Sequence, residues 1–73
     1  MKIKDILNLI TDRFLYIELI EEKSGASFDI LDSYSLKNLM NCEKTNFTEL
    51  GEKEIKNINV QYYKGQRQLI LKF

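Results

Sequence analysis

Hydrophobic and polar positions along this chain change their period twice, and the clearest pattern is the last, INVQYYKGQRQLILKF, at 58–73. A two-residue turn at Lys64 and Gly65 would set Tyr63 opposite Gln66, Tyr62 opposite Arg67, Val60 opposite Leu69 and Ile58 opposite Leu71, with Lys56 reaching Phe73. One face is therefore almost wholly apolar. The alternate pairs, Gln61 with Gln68, Asn59 with Ile70 and Asn57 with Lys72, put amides and charge on the other face, as a half-buried antiparallel sheet requires.

At the other end Ile3, Ile6, Leu7 and Ile10 recur at helical spacing, while Lys2, Lys4, Asp5 and Asn8 fall on the opposite side. A short amphipathic helix covering the core is expected, since its polar face lacks the strong basicity of membrane-surface helices. Thr11, Asp12 and Arg13 break that period, and FLYIELIEEK then reads as a strand running to a turn at Ser24 and Gly25. With a two-residue turn, Ile17 faces Asp32, Leu19 faces Ile30 and Glu21 faces Phe28. Neither face of this hairpin is cleanly polar. Beyond it, SYSLKNLM predicts a helix with Ser35 as N-cap and Tyr34 as a staple against Leu39. NFTEL predicts one more turn, with an Asn46–Glu49 capping box and Gly51 as its C-terminal cap.

The order α-β-β-α-(turn)-β-β predicts one α+β domain over 1–73: a four-stranded antiparallel sheet of two hairpins with short helices on one face. The expected core is Ile3, Ile6, Leu7, Ile10, Leu15, Ile17, Leu19, Phe28, Ile30, Leu36, Leu39, Met40, Phe47, Leu50, Ile58, Val60, Leu69, Leu71 and Phe73. The outer face would then expose Tyr16, Ile20, Tyr63 and Ile70, enough apolar surface to suggest docking. At 73 residues the core is small, so a homodimer is a ready source of extra stability.

Composition narrows the chemistry mainly by what is missing. Eleven basic and eleven acidic side chains cancel, which argues against a general nucleic-acid coat. No apolar run approaches the roughly 20 residues of a membrane span, and Asp5 and Asn8 interrupt what a signal peptide would keep apolar, so a cytoplasmic protein is expected. There is no histidine and a single cysteine, Cys42, so neither an internal disulfide nor the usual zinc site is available. Cys42 reads as a half-buried hydrophobe. Gly25, Gly51 and Gly65 are isolated and form no phosphate loop. No cofactor is implied and an enzyme is not expected, because a base working near neutrality would need a strongly shifted Glu or Lys.

Charge is unevenly placed. Glu18, Glu21, Glu22, Asp29 and Asp32 make the first hairpin acidic, whereas Lys64, Arg67 and Lys72 make the second basic. The simplest consequence is attraction between unlike hairpins. A sharper reading has the acidic hairpin, with Tyr16, Ile20 and Tyr63 beside it, enter a basic nucleic-acid channel on a partner protein. The alternative is a small nucleic-acid-binding regulator using Tyr62, Tyr63, Lys64, Arg67 and Lys72. Three cations are few for a groove that tracks a backbone.

The segments MKIKDILNLI, FLYIELIEEKSGASFDI, SLKNLM, EIKNI and LILKF, taken in order, resemble the small accessory proteins encoded by phages and mobile elements of low-GC bacteria. The resemblance spans the whole chain as a pattern of elements. It implies a non-enzymatic role in binding a host or phage protein, in some members as an inhibitor, and assigns no site residue.

Overall fold

A computed structural model describes residues 1–28, 30–42 and 46–73, and the side chain of Tyr63 lies outside that description, as does Asp29. The chain forms α1 (Ile3–Leu9), β1 (Tyr16–Ile20), β2 (Leu31–Asp32), α2 (Ser33–Met40), α3 (Phe47–Gly51), β3 (Asn57–Tyr63) and β4 (Gln66–Lys72). The four strands lie in one sheet in the order β2-β1-β4-β3.

The C-terminal hairpin has the register read from the sequence, from Tyr63 opposite Gln66 through to Asn57 opposite Lys72. Its turn needs positive φ at both central residues, and Lys64 at 50° and Gly65 at 78° supply it. The sheet as a whole departs from the expected antiparallel pair of hairpins. β1 lies parallel to β4, with Ile17 beside Leu69 and Leu19 beside Leu71, so the sheet is mixed. The reason is visible in LILKF. β4 has Leu69 and Leu71, followed by Phe73, on one face and Ile70 on the other, and a strand apolar on both sides belongs at the centre. β3 backs its apolar row with Asn57, Asn59 and Gln61, and it takes the edge.

The first hairpin is also wider than expected. Ile17 lies opposite Leu31, Ile20 bridges Ser27, and Phe28 N–H donates to Leu19 O at 2.9 Å, so Leu19–Ile30 and Ile17–Asp32 are not pairs. Glu21 N–H donates to Ala26 O at 2.9 Å and Gly25 N–H to Glu21 O at 2.8 Å, which encloses four residues rather than two. Between the Leu19 and Ile17 positions the returning arm takes one residue more than β1, as in a bulge.

One side of the sheet holds the core: Ile17, Leu19, Leu71 and Phe73 meet Ile3 and Leu7 of α1, Leu36 and Met40 of α2, and Leu50 of α3. Phe28 lies at its edge with its ring 6.0 Å from that of Phe73. Three expected core residues are instead exposed: Ile58 and Val60 on β3, because the helices stop short of the edge strand, and Ile30, because the Ile17–Leu31 pairing turns Leu31 rather than Ile30 toward the core. Conversely, Ile70, expected on the open face, is buried there.

Helix ends account for the remaining differences. α2 begins at Ser33, two residues before the expected cap, because Asp32 is the N-cap: its Oδ1 accepts from Ser35 N–H at 2.8 Å. Tyr34 is therefore inside the helix rather than a staple before it, and the Arg13 guanidinium lies 4.2 Å from its ring centroid. In α3 the Asn46 side chain makes no cap bond. Gly51 is the buried last residue of α3 rather than a cap beyond it, and an added Cβ there would meet Lys4 Cβ and Met40 Sδ at 3.5 Å, ordinary van der Waals contact.

Candidate functional site: the uncovered sheet face

Alternation along the strands sends Tyr16, Glu18 and Ile20 of β1 to the face away from the helices. The parallel register sets them beside Gln68, Ile70 and Lys72, and beyond these lie Gln61, Asn59 and Asn57 of β3. None of these residues belongs to the helix-covered core. At the centre of this face is a carboxylate fixed at both oxygens. Ser27 Oγ donates to Glu18 Oε1 at 2.8 Å, and Gln68 Nε2 donates to Glu18 Oε2 at 2.7 Å. Gln61 Nε2 extends the chain to Gln68 Oε1 at 3.5 Å.

Gln68 is only 1% exposed, so its amide has left water and its bond to Glu18 is correspondingly hard to give up. Tyr16, Ile20 and Ile30 border this polar strip with apolar surface, while Ile70, beside Glu18, is buried. A shallow concavity at its rim is lined by Tyr16, Ile30, Lys64 and Gln66. Tyr16, Glu18 and Ile20, expected from the sequence to bind a partner, come together on one face. Gln68 is not among the expected residues, although the Gln61–Gln68 cross-strand pair is a usable signal, since two amides facing each other within apolar strands call for a shared partner.

The other acids do not join Glu18. Asp32 is occupied as the cap of α2, also accepting from Ser35 Oγ at 3.0 Å, and the Ser35 N–H, its main partner, holds the carboxyl below its ordinary value. Glu22 is exposed in the loop beyond β1. Glu21 is half-buried and lines a different concavity, with Lys23, Lys53, Glu54, Lys56 and Phe73. Among the described residues no group of three acidic or cysteine side chains could hold a metal ion.

The basic hairpin is likewise divided. Tyr62 and Arg67 are a cross-strand pair on the helix side of the sheet, Lys72 is on the uncovered face, and Lys64 is at the turn. Tyr63, a member of both candidate sets, is described only by its backbone pairing with Gln66.

No family model, curated protein or solved structure matches the chain. No helix is long and apolar enough to cross a membrane among the described residues.

Proposed function

We propose that the chain is a non-enzymatic protein-binding protein of the cytoplasm, an accessory protein of the phage or mobile-element kind, that engages a host or phage protein through the uncovered sheet face and the acidic loop beside it. The observation that supports this reading is the Glu18 carboxylate, held between Ser27 and Gln68 and bordered by Tyr16, Ile20 and Ile30. A preorganised charge within an aromatic and aliphatic border is how protein interfaces fix register and exclude water. The partner best suited to it is basic: a host nuclease or defence factor whose phosphate-binding channel would accept Glu18, Glu21 and Glu22 as it accepts nucleic acid.

The nucleic-acid-binding alternative is less well supported. Arg67 and Lys72 lie on opposite faces, so the cations do not line one track, and a fixed carboxylate on the open face would repel phosphate. Affinity capture from a low-GC bacterial lysate, followed by binding measurements with purified hits, tests the proposal. Combined Glu18→Gln, Glu21→Lys and Glu22→Lys changes should abolish partner binding with an unchanged circular dichroism spectrum, while Lys64→Glu with Arg67→Glu should matter little. Asp32 is unsuitable for this purpose because its loss uncaps α2. Salt-sensitive binding of fluorescent DNA or RNA that disappears on replacing Lys64, Arg67 and Lys72 would reverse the choice.

A further inference from the structure

β3 ends the sheet, and among the described residues no strand pairs with its outer side from Asn57 to Tyr63. Natural edge strands are normally guarded by lysine, proline, a short length or a covering element. Here the edge is seven residues long, NINVQYY, with no charge and no proline. It also carries an uncovered apolar row on the helix side, Ile58, Val60 and Tyr62, which are 48%, 65% and 72% exposed.

The register decides which backbone groups point outward. A two-residue hairpin closes on a hydrogen-bonded pair, here Tyr63 with Gln66, so residues 57, 59, 61 and 63 direct their N–H and C=O groups to β4. Ile58, Val60 and Tyr62 direct theirs to the open side. The residues with free backbone groups are therefore also the residues with exposed apolar side chains.

We propose that β3 pairs antiparallel with β3 of a second copy of the chain about a two-fold axis at Val60, joining two four-stranded sheets into one of eight strands. This goes beyond the outer-face reading and uses a different surface. In that register Val60 meets its own copy, and Ile58 meets Tyr62 in both directions. Each of these pairs is hydrogen-bonded, because each side has its N–H and C=O outward. On the other face Asn59 meets Gln61, an amide pair that can bond across the seam. No other register overlaps all seven residues, and within the strand self-pairing sets no like charges opposite each other; the like charges it brings together, Lys56 of one copy and Lys64 of the other, lie just beyond the strand ends. A two-fold interface needs this self-complementarity, whereas a foreign strand would have to supply it.

Light scattering across a concentration series tests the proposal. The scattering mass should rise from the 8.7 kDa of one chain to twice that value. Val60→Lys places two ammonium groups opposite each other at the axis and should raise the dissociation constant roughly tenfold or more. Its circular dichroism should be unchanged, because Val60 is largely exposed within one chain.

Two cysteine variants made in a Cys42→Ser background read the register itself. Val60→Cys brings the two sulfur-bearing residues to about 5.5 Å between Cα atoms, within disulfide reach, and should cross-link under mild oxidation. Tyr62→Cys leaves its copy about 13 Å along the strand and should not. A single-chain mass at every concentration up to about 1 mM overturns the proposal, even where the same edge captures another protein. So does a dimer that survives Val60→Lys, or cross-linking of Tyr62→Cys in preference to Val60→Cys. Absence of a dimer in the unsubstituted chain, with partner binding intact, would reject this pairing and leave the outer-face reading standing.

Discussion

Ser33 has no exposed surface, and its hydroxyl donates to the Asp12 carbonyl, 21 residues earlier in the chain. The bond ties the start of α2 to the loop after α1. Ser33→Ala would leave that carbonyl without this donor, at a cost of about 1–3 kcal/mol in chemical denaturation. A loss below about 0.5 kcal/mol would mean that water replaces the hydroxyl. Glu52 acts at the surface in another way. Lys2 Nζ at 2.8 Å and Lys4 Nζ at 2.5 Å both donate to its carboxylate and lower its pKa from the ordinary 4.5 to about 2. The folded value is the lower one, so the stabilisation is complete above pH 4.5 and drains away as the pH falls toward 2. Lys2 is raised by the same partner, so its share is complete below 10.5 and is lost as the pH climbs past the raised value. Glu52→Gln should flatten the acid limb of the stability profile, and an identical limb in the variant would remove the pair from the account. Because the groups are exposed, added salt should shrink the difference.

At the scale of elements, legibility followed how tightly neighbouring residues constrain one another. The β3–β4 register was readable because a two-residue turn leaves no freedom and the side chains alternate in kind on both arms. The β1–β2 register was not, since Tyr16, Glu18 and Ile20 are as mixed as the face opposite, and nothing in that pattern penalises a one-residue slip. Strand order was hidden for a different reason. Local pairing rules say which residues face each other across a turn, but the parallel seam joins Glu18 to Gln68, fifty positions apart. The signal was present only in Ile70, an apolar residue on the supposedly polar face of β4. On the candidate face, Glu18 could be named from the sequence, but its fixation by Gln68 could not, because the two meet only through that seam.

Edge and centre also differ energetically although the residues look alike. Leu71 and Val60 both belong to the apolar row of the C-terminal hairpin, yet Leu71 is fully buried between β1 and β3 under the helices. Leu71→Ala should cost about 2–5 kcal/mol through lost packing and a residual cavity. Val60→Ala should change the stability of a single chain by no more than about 0.5 kcal/mol, apart from a small loss of strand propensity. Urea titrations at concentrations where one chain predominates measure both. Comparable losses would mean that β3 is covered in solution.

For the whole molecule the consequence is that the best-patterned part of the chain cannot stand alone. The hairpin's inner residues, Leu69, Leu71 and Phe73, are covered by β1 and by helices drawn from the first 51 residues, and a two-stranded hairpin by itself is marginal in water. β1 needs β4 as much, since its Ile17 and Leu19 lie directly beside Leu69 and Leu71. A peptide of residues 56–73 should therefore show no persistent cross-strand contacts between Val60 and Leu69 or Ile58 and Leu71 in NMR spectra. In the intact chain, far-ultraviolet circular dichroism and tyrosine fluorescence should report one coincident unfolding transition, because Tyr16 and Tyr34 lie in the first half and Tyr62 in the second. Leu19→Ala and Leu71→Ala, which empty adjacent positions on the seam, should depart from additivity by about 0.5–3 kcal/mol when combined. A peptide that folds, with two separate transitions in the chain and strictly additive losses, would mean that the hairpin is an independent unit and that the parallel seam contributes little to holding the molecule together.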